Sequence, residues 1–404
     1  MSSSTPPSLL TFPEALSDPD AWLDPFDWYA ARRAEAPVHY DDHRRCWDVL
    51  AYEEVKTALG DDETFSVDPR EASDYRSTGG EQEFLLETML FQDPPKHDRS
   101  REVVEEFFRP SAVAALEPRI EDLTHDLLDD VEGDRMDVVD ALAYPLPVIV
   151  IAELLGVPSE DRDRFREWST TMVASTDGDG EGNGDLQQRQ MQAGMELASY
   201  FGELIADRRE HPRDDLVTRL VESEEEAGFD ETELLGFCML LLIAGNVTTT
   251  NLVGNAVRSF AEADHLSGFE PDALGPAVEE VLRYRAPVQA MSRVATVNTT
   301  LGGADIAAGD RVVCWLGAAN RDGAKFDAPD TFVPDRTPNQ HLGFGYGTHY
   351  CLGAPLARLE ATVALRVLFE RFDLLEVETD DLTPVRSSFI YGVESLPARI
   401  ERRD

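Results

Sequence analysis

A cysteine in a glycine-rich stretch near the carboxyl end is the residue of this chain best suited to chemistry. Cys351 lies in Phe344-Gly-Tyr-Gly-Thr-His-Tyr-Cys-Leu-Gly353, and an apolar, helix-forming stretch from Ala354 to Phe369 follows directly. A thiolate at the start of a helix is stabilised by the helix dipole and by free backbone N–H groups. Glycines let the backbone curve around the sulfur while a flat group lies close. The segment therefore predicts a thiolate ligand for a metal.

The same segment resembles the haem-binding loop of the cytochrome P-450 family, the haem-thiolate monooxygenases. The family pattern is Phe-x-x-Gly-x-(His or Arg)-x-Cys-x-Gly, and its five fixed positions are filled by Phe344, Gly347, His349, Cys351 and Gly353. A lone cysteine would more often be a buried structural residue, but five matched positions favour the resemblance. A nucleotide-binding loop is excluded, because its third glycine and any Gly-Lys-Ser/Thr sequence are missing. The resemblance implies haem b as the cofactor, with Cys351 as the iron ligand and with Phe344, Gly345, His349 and Gly353 around the haem.

A second motif lies within a stretch, Asp230 to Ala263, that predicts one long helix capped by Asp230. Ala244-Gly-Asn-Val-Thr-Thr-Thr250 is a poor helix sequence in its middle, where glycine gives a flat ligand room and threonine hydroxyls can distort the helix. Ordinary helix polarity is the alternative. The segment resembles the oxygen-binding motif of the family, Ala-Gly-x-(Asp or Glu)-Thr-Thr. The resemblance places Ala244 and Gly245 against the haem and makes Thr248 the alcohol that hydrogen-bonds bound oxygen and helps to deliver protons.

The chain departs from this motif at the acidic position, which is Val247. Asn246 with water is the candidate substitute, although an amide cannot itself supply a proton at neutral pH. The departure keeps open a peroxide-driven peroxygenase, which needs neither a proton relay nor an electron donor. A haem-based sensor or electron carrier is a third alternative. It is disfavoured, because that role requires neither Thr248 nor a pocket-forming helix.

Charged residues elsewhere match two further features of the family. Glu280 and Arg283 are three residues apart on a predicted helix, where an isolated pair is usually a weak surface ion pair. Beside the cysteine loop they resemble the buried Glu-x-x-Arg motif, and Arg336 fits its later arginine partner. Four basic residues resemble the set that binds the haem propionates: His97, Arg101, Arg293 and His349.

The elements that position these residues are predicted to be mainly α-helical with minor β structure, the cytochrome P-450 fold. Strand patterns occur at Cys46–Tyr52 and between Pro287 and Val333, a hairpin is predicted over Ser387–Gly392, and helical spacing dominates from residue 102 to about 285. Residues 1–20 predict a loose leader and residues 21–404 a single catalytic domain. Thr176–Asp185, rich in glycine and acid, predicts a loop.

Acidic residues dominate the composition. Asp and Glu number 79 against 36 Lys and Arg, which gives a formal net charge of −43, and only three of the basic residues are lysines. This surface repels nucleic acid and anionic lipid and indicates adaptation to a salt-rich cytoplasm in a halophilic organism. No signal peptide is apparent and the longest apolar runs are shorter than a membrane span. The four cysteines are widely spaced, which suits a reducing compartment.

The sequence therefore predicts a soluble, cytoplasmic, monomeric haem-thiolate monooxygenase that acts on a small hydrophobic substrate. No flavin or nicotinamide segment is apparent, so the resemblance implies a ferredoxin and its reductase as electron donors. They are predicted to dock over Cys351, near Arg358, Arg99 and Arg109. The predicted substrate pocket comprises Leu85, Leu241, Val288, Gln289, Phe389 and Ile390.

Overall fold

The computed structural model describes residues 12–76, 86–161, 164–165, 167–168, 171, 183–266, 271–385 and 387–403. Most of the predicted Thr176–Asp185 loop and Leu85 of the predicted pocket lie outside these ranges. The α-helices of the described residues are α1 (Phe26–Glu35), α2 (Tyr52–Gly60), α3 (Lys96–Phe108), α4 (Pro110–Ala114), α5 (Glu117–Asp129), α6 (Pro145–Leu155), α7 (Asn183–Glu210), α8 (Leu216–Ala227), α9 (Glu231–Glu262), α10 (Pro271–Tyr284), α11 (Leu316–Ala319) and α12 (Ala354–Arg371).

The β structure forms three small sheets among the described residues. The strands are β1 (Val38–Asp41), β2 (Cys46–Val49), β3 (Phe65–Ser66), β4 (Arg135–Asp137), β5 (Ala290–Ala295), β6 (Thr299–Leu301), β7 (Ala304–Ile306), β8 (Arg311–Trp315), β9 (Phe372–Val377) and β10 (Pro397–Arg402). The largest sheet has the order β1-β2-β8-β5-β3, with β2 parallel to β8, and the others are β4-β10-β9 and β6-β7. A mainly helical fold with minor sheet is confirmed.

The helix α9 crosses the core and positions the predicted oxygen-binding motif. Its N-terminus has a capping box, in which the Asp230 side chain accepts from the Glu233 N–H and the Glu233 side chain accepts from the Asp230 N–H. It packs against α6, α7, α10 and α12. Its apolar window is long enough to span a membrane, but 72% of that window is buried inside the protein. This helix is therefore a core helix.

The predicted leader is wrong for its last nine residues. Residues 14–16 and 19–22 form 3-10 turns, and Leu16 is buried. The Trp22 indole N–H donates to the Leu16 carbonyl at 2.8 Å, and its ring stacks on Phe12 at 4.5 Å between centroids. These contacts give residues 12–22 a defined local structure.

The predicted hairpin over Ser387–Gly392 is present, with its paired residues just outside the predicted range. Pro384 and Val393 form an antiparallel bridge, and the Val385 and Glu394 N–H groups donate to the Gly392 and Thr383 carbonyls at 3.0 and 2.9 Å. Within the turn, the Ser387 hydroxyl accepts N–H bonds from Phe389 and Ile390. The last strand of the chain, β10, pairs antiparallel with β9.

Helix α12 carries a buried carboxyl group, Glu360, that gives a testable pH dependence. Burial raises the pKa of Glu360 to about 8, whereas an unfolded chain ionises glutamate near about 4.3. The folded state therefore binds more protons between these values and loses stability as the pH rises through that window. We expect Glu360→Gln to raise the midpoint of thermal unfolding by more at pH 8 than at pH 5. The control Glu370→Gln, at an exposed position of the same helix, should change neither midpoint, and an equal gain from Glu360→Gln at both pH values would contradict the prediction.

Candidate active site

The cysteine loop is held against the start of α12 by backbone hydrogen bonds. The Cys351 N–H donates to the Phe344 carbonyl at 2.9 Å, and the Ala354 N–H donates to the Cys351 carbonyl at 3.3 Å. Gly347 has φ +76°, and a Cβ there would lie 2.9 Å from the Gly60 Cα. No other residue type fits this position without moving α2, so the loop conformation depends on it.

The Cys351 sulfur lies in surroundings suited to a metal-bound thiolate. Burial raises the pKa of the thiol, while the N–H groups of Gly353 and Ala354 and the charges of Arg101 and Arg358 act in the opposite direction. Coordination to a metal deprotonates such a thiol outright. The N–H groups and arginines around Cys351 therefore suit a thiolate that has lost its proton on binding a metal.

Basic side chains with few acidic partners converge beside this loop. His97 and His349 have ring centroids 4.3 Å apart; His97 is buried and His349 is half-buried. Burial, followed by the charges of His97, Arg293 and Arg101, lowers the pKa of His349 to about 3. Asp98, 3.1 Å from His97 Nδ1, is the one carboxylate paired with this cluster among the described residues.

Two members of the cluster carry buried nitrogen atoms with few hydrogen-bond partners. His349 Nε2 is buried and has no hydrogen-bond partner in the described part of the chain. Arg293 is 5% exposed and donates to the neighbouring Ser292 carbonyl at 2.8 Å. Burying such groups without partners is costly. The cluster therefore suits an anionic group, and the two carboxylates of haem have the right chemistry.

The middle of α9 faces open space next to this region. Ala244 is exposed and Gly245 and Thr248 are half-buried, although most of the helix is buried. A Cβ at Gly245 would meet Ile151 at no less than 3.8 Å, an ordinary contact. Packing within the protein therefore does not require this glycine, which leaves room for a bound group. The Thr248 hydroxyl lies on this side and donates to the Ala244 carbonyl at 2.8 Å.

Asn246, predicted as a catalytic residue, does not lie on the open side of α9. Its side chain is fully buried, and its Oδ1 accepts from the Thr250 hydroxyl at 3.2 Å. Successive residues of a helix point about 100° apart, so Asn246 and the open side at Ala244 and Thr248 face different ways. No carboxylate or amide of α9 among positions 244–248 therefore lines the open space beside Thr248.

The predicted ion network is assembled in the core. Glu280 and Arg283 have fully buried side chains and pair through two contacts of 2.8 Å. Arg336 Nε approaches the two Glu280 oxygens at 3.0 and 3.1 Å, and the Val333 N–H donates to Glu280 at 2.9 Å. The network ties α10 to the chain that leads into the cysteine loop.

A second carboxylate, missed from the sequence, lies next to this network. Glu279 accepts from Arg358 Nε at 2.5 Å and Nη2 at 3.0 Å. The ring nitrogen Nε2 of His341 lies 3.0 Å from the same carboxylate. Two successive glutamates before Arg283 were the signal that could have revealed it.

The structure divides the residues of the predicted substrate pocket into two groups. Val288 and Ile390 pair in an antiparallel bridge and are half-buried, and Leu241 is buried on α9. Gln289 is wrong as a lining residue, because its amide donates to the Ala286 carbonyl at 2.6 Å and accepts from the Tyr29 hydroxyl at 3.0 Å. Phe389 is also wrong, because it packs with the aromatic cluster around Tyr29. Side chains alternate along an extended segment, so these two residues face away from Val288 and Ile390.

Known proteins share this fold and these motifs. The cytochrome P-450 family model matches residues 274–401. Cytochrome P-450 109 of Bacillus spizizenii is 42% identical over 383 residues, covering 93% of this chain and 91% of the relative. Erythromycin C-12 hydroxylase of Saccharopolyspora erythraea is 40% identical over 363 residues, covering 88% and 89%. The testosterone complex of CYP109E1 from Bacillus megaterium has a TM-score of 0.84 at 40% identity, covering 95% of this chain and 99% of that chain.

The chain belongs to the cytochrome P-450 family. It is an oxidoreductase of the monooxygenase class, and haem is its cofactor.

Proposed function

We propose that Cys351 is the axial ligand of the haem and that the four basic residues His97, Arg101, Arg293 and His349 bind its propionates. The observation that carries this proposal is the unpartnered, buried Nε2 of His349 in a basic cluster beside the cysteine loop. Haem supplies the oxygen-activating and electron-accepting chemistry when bound. The protein supplies the thiolate, the propionate partners and a half-buried hydroxyl at Thr248.

The substrate we propose is an apolar small molecule, with steroids as the first class to test. Val288 and Ile390 pair in an antiparallel bridge, and Leu241 is an apolar residue of α9 that precedes Ala244 by three positions. The related CYP109E1 binds testosterone. A preformed apolar surface with few polar groups favours ligands of this kind.

We propose a ferredoxin-type protein as the electron donor, docked over the cysteine loop. The three arginines predicted for this surface are already paired with carboxylates: Arg358 with Glu279, Arg99 with Glu233 and Arg109 with Glu105. Two exposed aromatics of the loop, Tyr346 and Tyr350, are available instead. Lys56 lies 4.9 Å above the Tyr346 ring.

Electron source and oxidant are tested with paired assays of Thr248→Ala and wild type. One assay supplies NADPH, ferredoxin and ferredoxin reductase under air, and the other supplies hydrogen peroxide alone. A monooxygenase with the proposed role for Thr248 should lose product formed per NADPH in the first assay, by about 10²-fold or more for a lost proton donor. Peroxide-driven turnover should change little.

The peroxygenase alternative is favoured by Val247 and by the absence of an acid at α9 positions 244–248. It predicts that wild type turns over faster with peroxide than with the ferredoxin system. In that case Val247→Asp, which restores the acid of the motif, should raise the ferredoxin-driven rate. A ferredoxin-driven rate that already exceeds the peroxide rate in wild type would exclude this alternative.

We further propose that the protein is cytoplasmic in a halophilic organism. The acidic residues behind the net charge of −43 repel one another at low ionic strength. At 1 M salt the screening length falls to about 3 Å, so this repulsion is largely removed. Thermal stability should therefore rise with KCl concentration up to the molar range. A midpoint that falls steadily with added KCl would contradict the proposal.

A further inference from the structure

Two adjacent carboxylates of α10 bind different parts of the chain around the cysteine. Glu280 receives the bonds of Arg283 and Arg336, as described above. Glu279 receives Arg358, on the first turns of α12, through Nε and Nη2 in the bidentate geometry of a strong ion pair. This second pair is about one-third exposed, with side-chain exposures of 30% and 34%.

A histidine at the start of the loop fixes Glu279 from the other side. The Gly343 N–H donates to His341 Nδ1 at 3.1 Å, so that nitrogen carries a lone pair. In the neutral ring the proton is then on Nε2, which donates to Glu279 at 3.0 Å. Burial works to raise the pKa of Glu279, but the bonds from His341 and Arg358 outweigh it and lower the pKa to about 2. Glu279 is therefore fully ionised at neutral pH.

The guanidinium of Arg358 contacts two aromatic side chains of the cysteine loop. Its Nη1 donates to the Tyr350 hydroxyl at 3.3 Å, and its Cζ lies 4.5 Å from the centroid of the Phe344 ring. Tyr350 precedes Cys351, and the Phe344 carbonyl accepts the Cys351 N–H. Arg358 therefore places its positive charge against the loop that carries Cys351.

We propose that Arg358 and its positioning residue Glu279 set how strongly the Cys351 thiolate donates electron density to the haem. This inference rests on the proposed role of Cys351 as axial ligand. A cation near the sulfur holds negative charge there and weakens its donation, while the carboxylate of Glu279 offsets most of that effect. Loss of the carboxylate and loss of the cation therefore act in opposite directions.

The test is an equilibrium redox titration of the holoenzyme, followed by its ferric and ferrous spectra. In Glu279→Gln the charge of Arg358 is no longer offset. The ratio of reduced to oxidised haem at a fixed electrode potential should rise by up to about tenfold. For a one-electron couple this corresponds to an increase of about 59 mV in the reduction potential. In Arg358→Leu the ratio should fall, and in the double variant it should return towards wild type.

Charge and packing are separated by two further variants. Arg358→Lys keeps the positive charge and should stay near the wild-type potential, even though it loses the bidentate bond. Arg366→Leu removes another arginine of α12, paired with Glu121 at 3.1 to 3.2 Å, and should leave the potential unchanged.

Three results would overturn the inference. The first is a shift of the reduction potential in the same direction in Glu279→Gln and Arg358→Leu. The second is an unchanged potential in both variants. The third is a shift of the same size in Arg366→Leu. The carbon monoxide difference spectrum of each variant is recorded beside the titration. A wild-type spectrum without the thiolate band would refute Cys351 as the ligand, and thus the proposed function itself, whereas an intact band with unmoved potentials refutes only the role of Glu279 and Arg358.

Discussion

Cys351→Ala is expected to abolish the strongly red-shifted Soret band that carbon monoxide gives with the reduced wild-type protein. That band requires a thiolate ligand, and alanine offers the iron none. Monooxygenase turnover should be lost with it, because the thiolate would supply the electron density that bound haem needs for oxygen activation. The measurement is a difference spectrum of dithionite-reduced protein with and without carbon monoxide, in high salt.

Cys238→Ala is the control, because Cys238 is another free cysteine but is buried within α9, away from the loop. It should keep both the band and the bound haem. A thiolate band that persists in Cys351→Ala would place the ligand elsewhere. A wild-type band typical of histidine-ligated haem would remove the thiolate altogether.

Glu280→Gln is expected to lower the free energy of unfolding by about 3–5 kcal/mol, because it leaves buried arginine charge without its counter-ion. Arg283 has no exposed side-chain surface, and its partner carboxylate is equally buried. Glutamine keeps the shape of the side chain but supplies no negative charge. Denaturant unfolding of the holoenzyme measures the loss.

The control for this variant is Glu35→Gln, which removes one member of an exposed pair with Arg32. Exposed pairs contribute about 0–1 kcal/mol. The salt dependence of stability also distinguishes the two variants, since buried charges are screened much less than exposed ones. A loss for Glu280→Gln that disappears in molar KCl, or that is no larger than for Glu35→Gln, would contradict a buried network.

Local chemistry made parts of the fold predictable from the sequence. The predicted helix from Asp230 to Ala263 is confirmed as α9, because Asp230 and Glu233 encode their own capping box. Strand β2 also follows from a short-range pattern. The predicted hairpin near the C-terminus is present, but its pairing lies outside the predicted range, at Pro384 and Val393, because the Ser387 hydroxyl bonds the N–H groups of Phe389 and Ile390 within the turn.

The orientation of individual side chains was harder to predict than their position in the chain. Asn246 is beside the correct residues in sequence but lies on a buried face of α9. Gln289 is beside Val288 but faces Tyr29. Glu279 was missed because its partners, Arg358 and His341, are more than sixty residues away. A motif specifies which residues are present, whereas packing decides which of them meet.

The position of Lys56 has a practical consequence for wiring the protein to an electrode. The chain has three lysines, and the other two are engaged: Lys96 with the carboxylates of Glu87 and Glu233, and Lys325 with Gln340 at 2.6 Å. Lys56 has no carboxylate partner among the described residues and lies over Tyr346 of the cysteine loop. A coupling reagent that reacts with amines therefore meets few side chains. Attachment through Lys56 would turn the cysteine loop towards the conducting surface. Because the chain has so few lysines, most of the immobilised molecules would share this orientation.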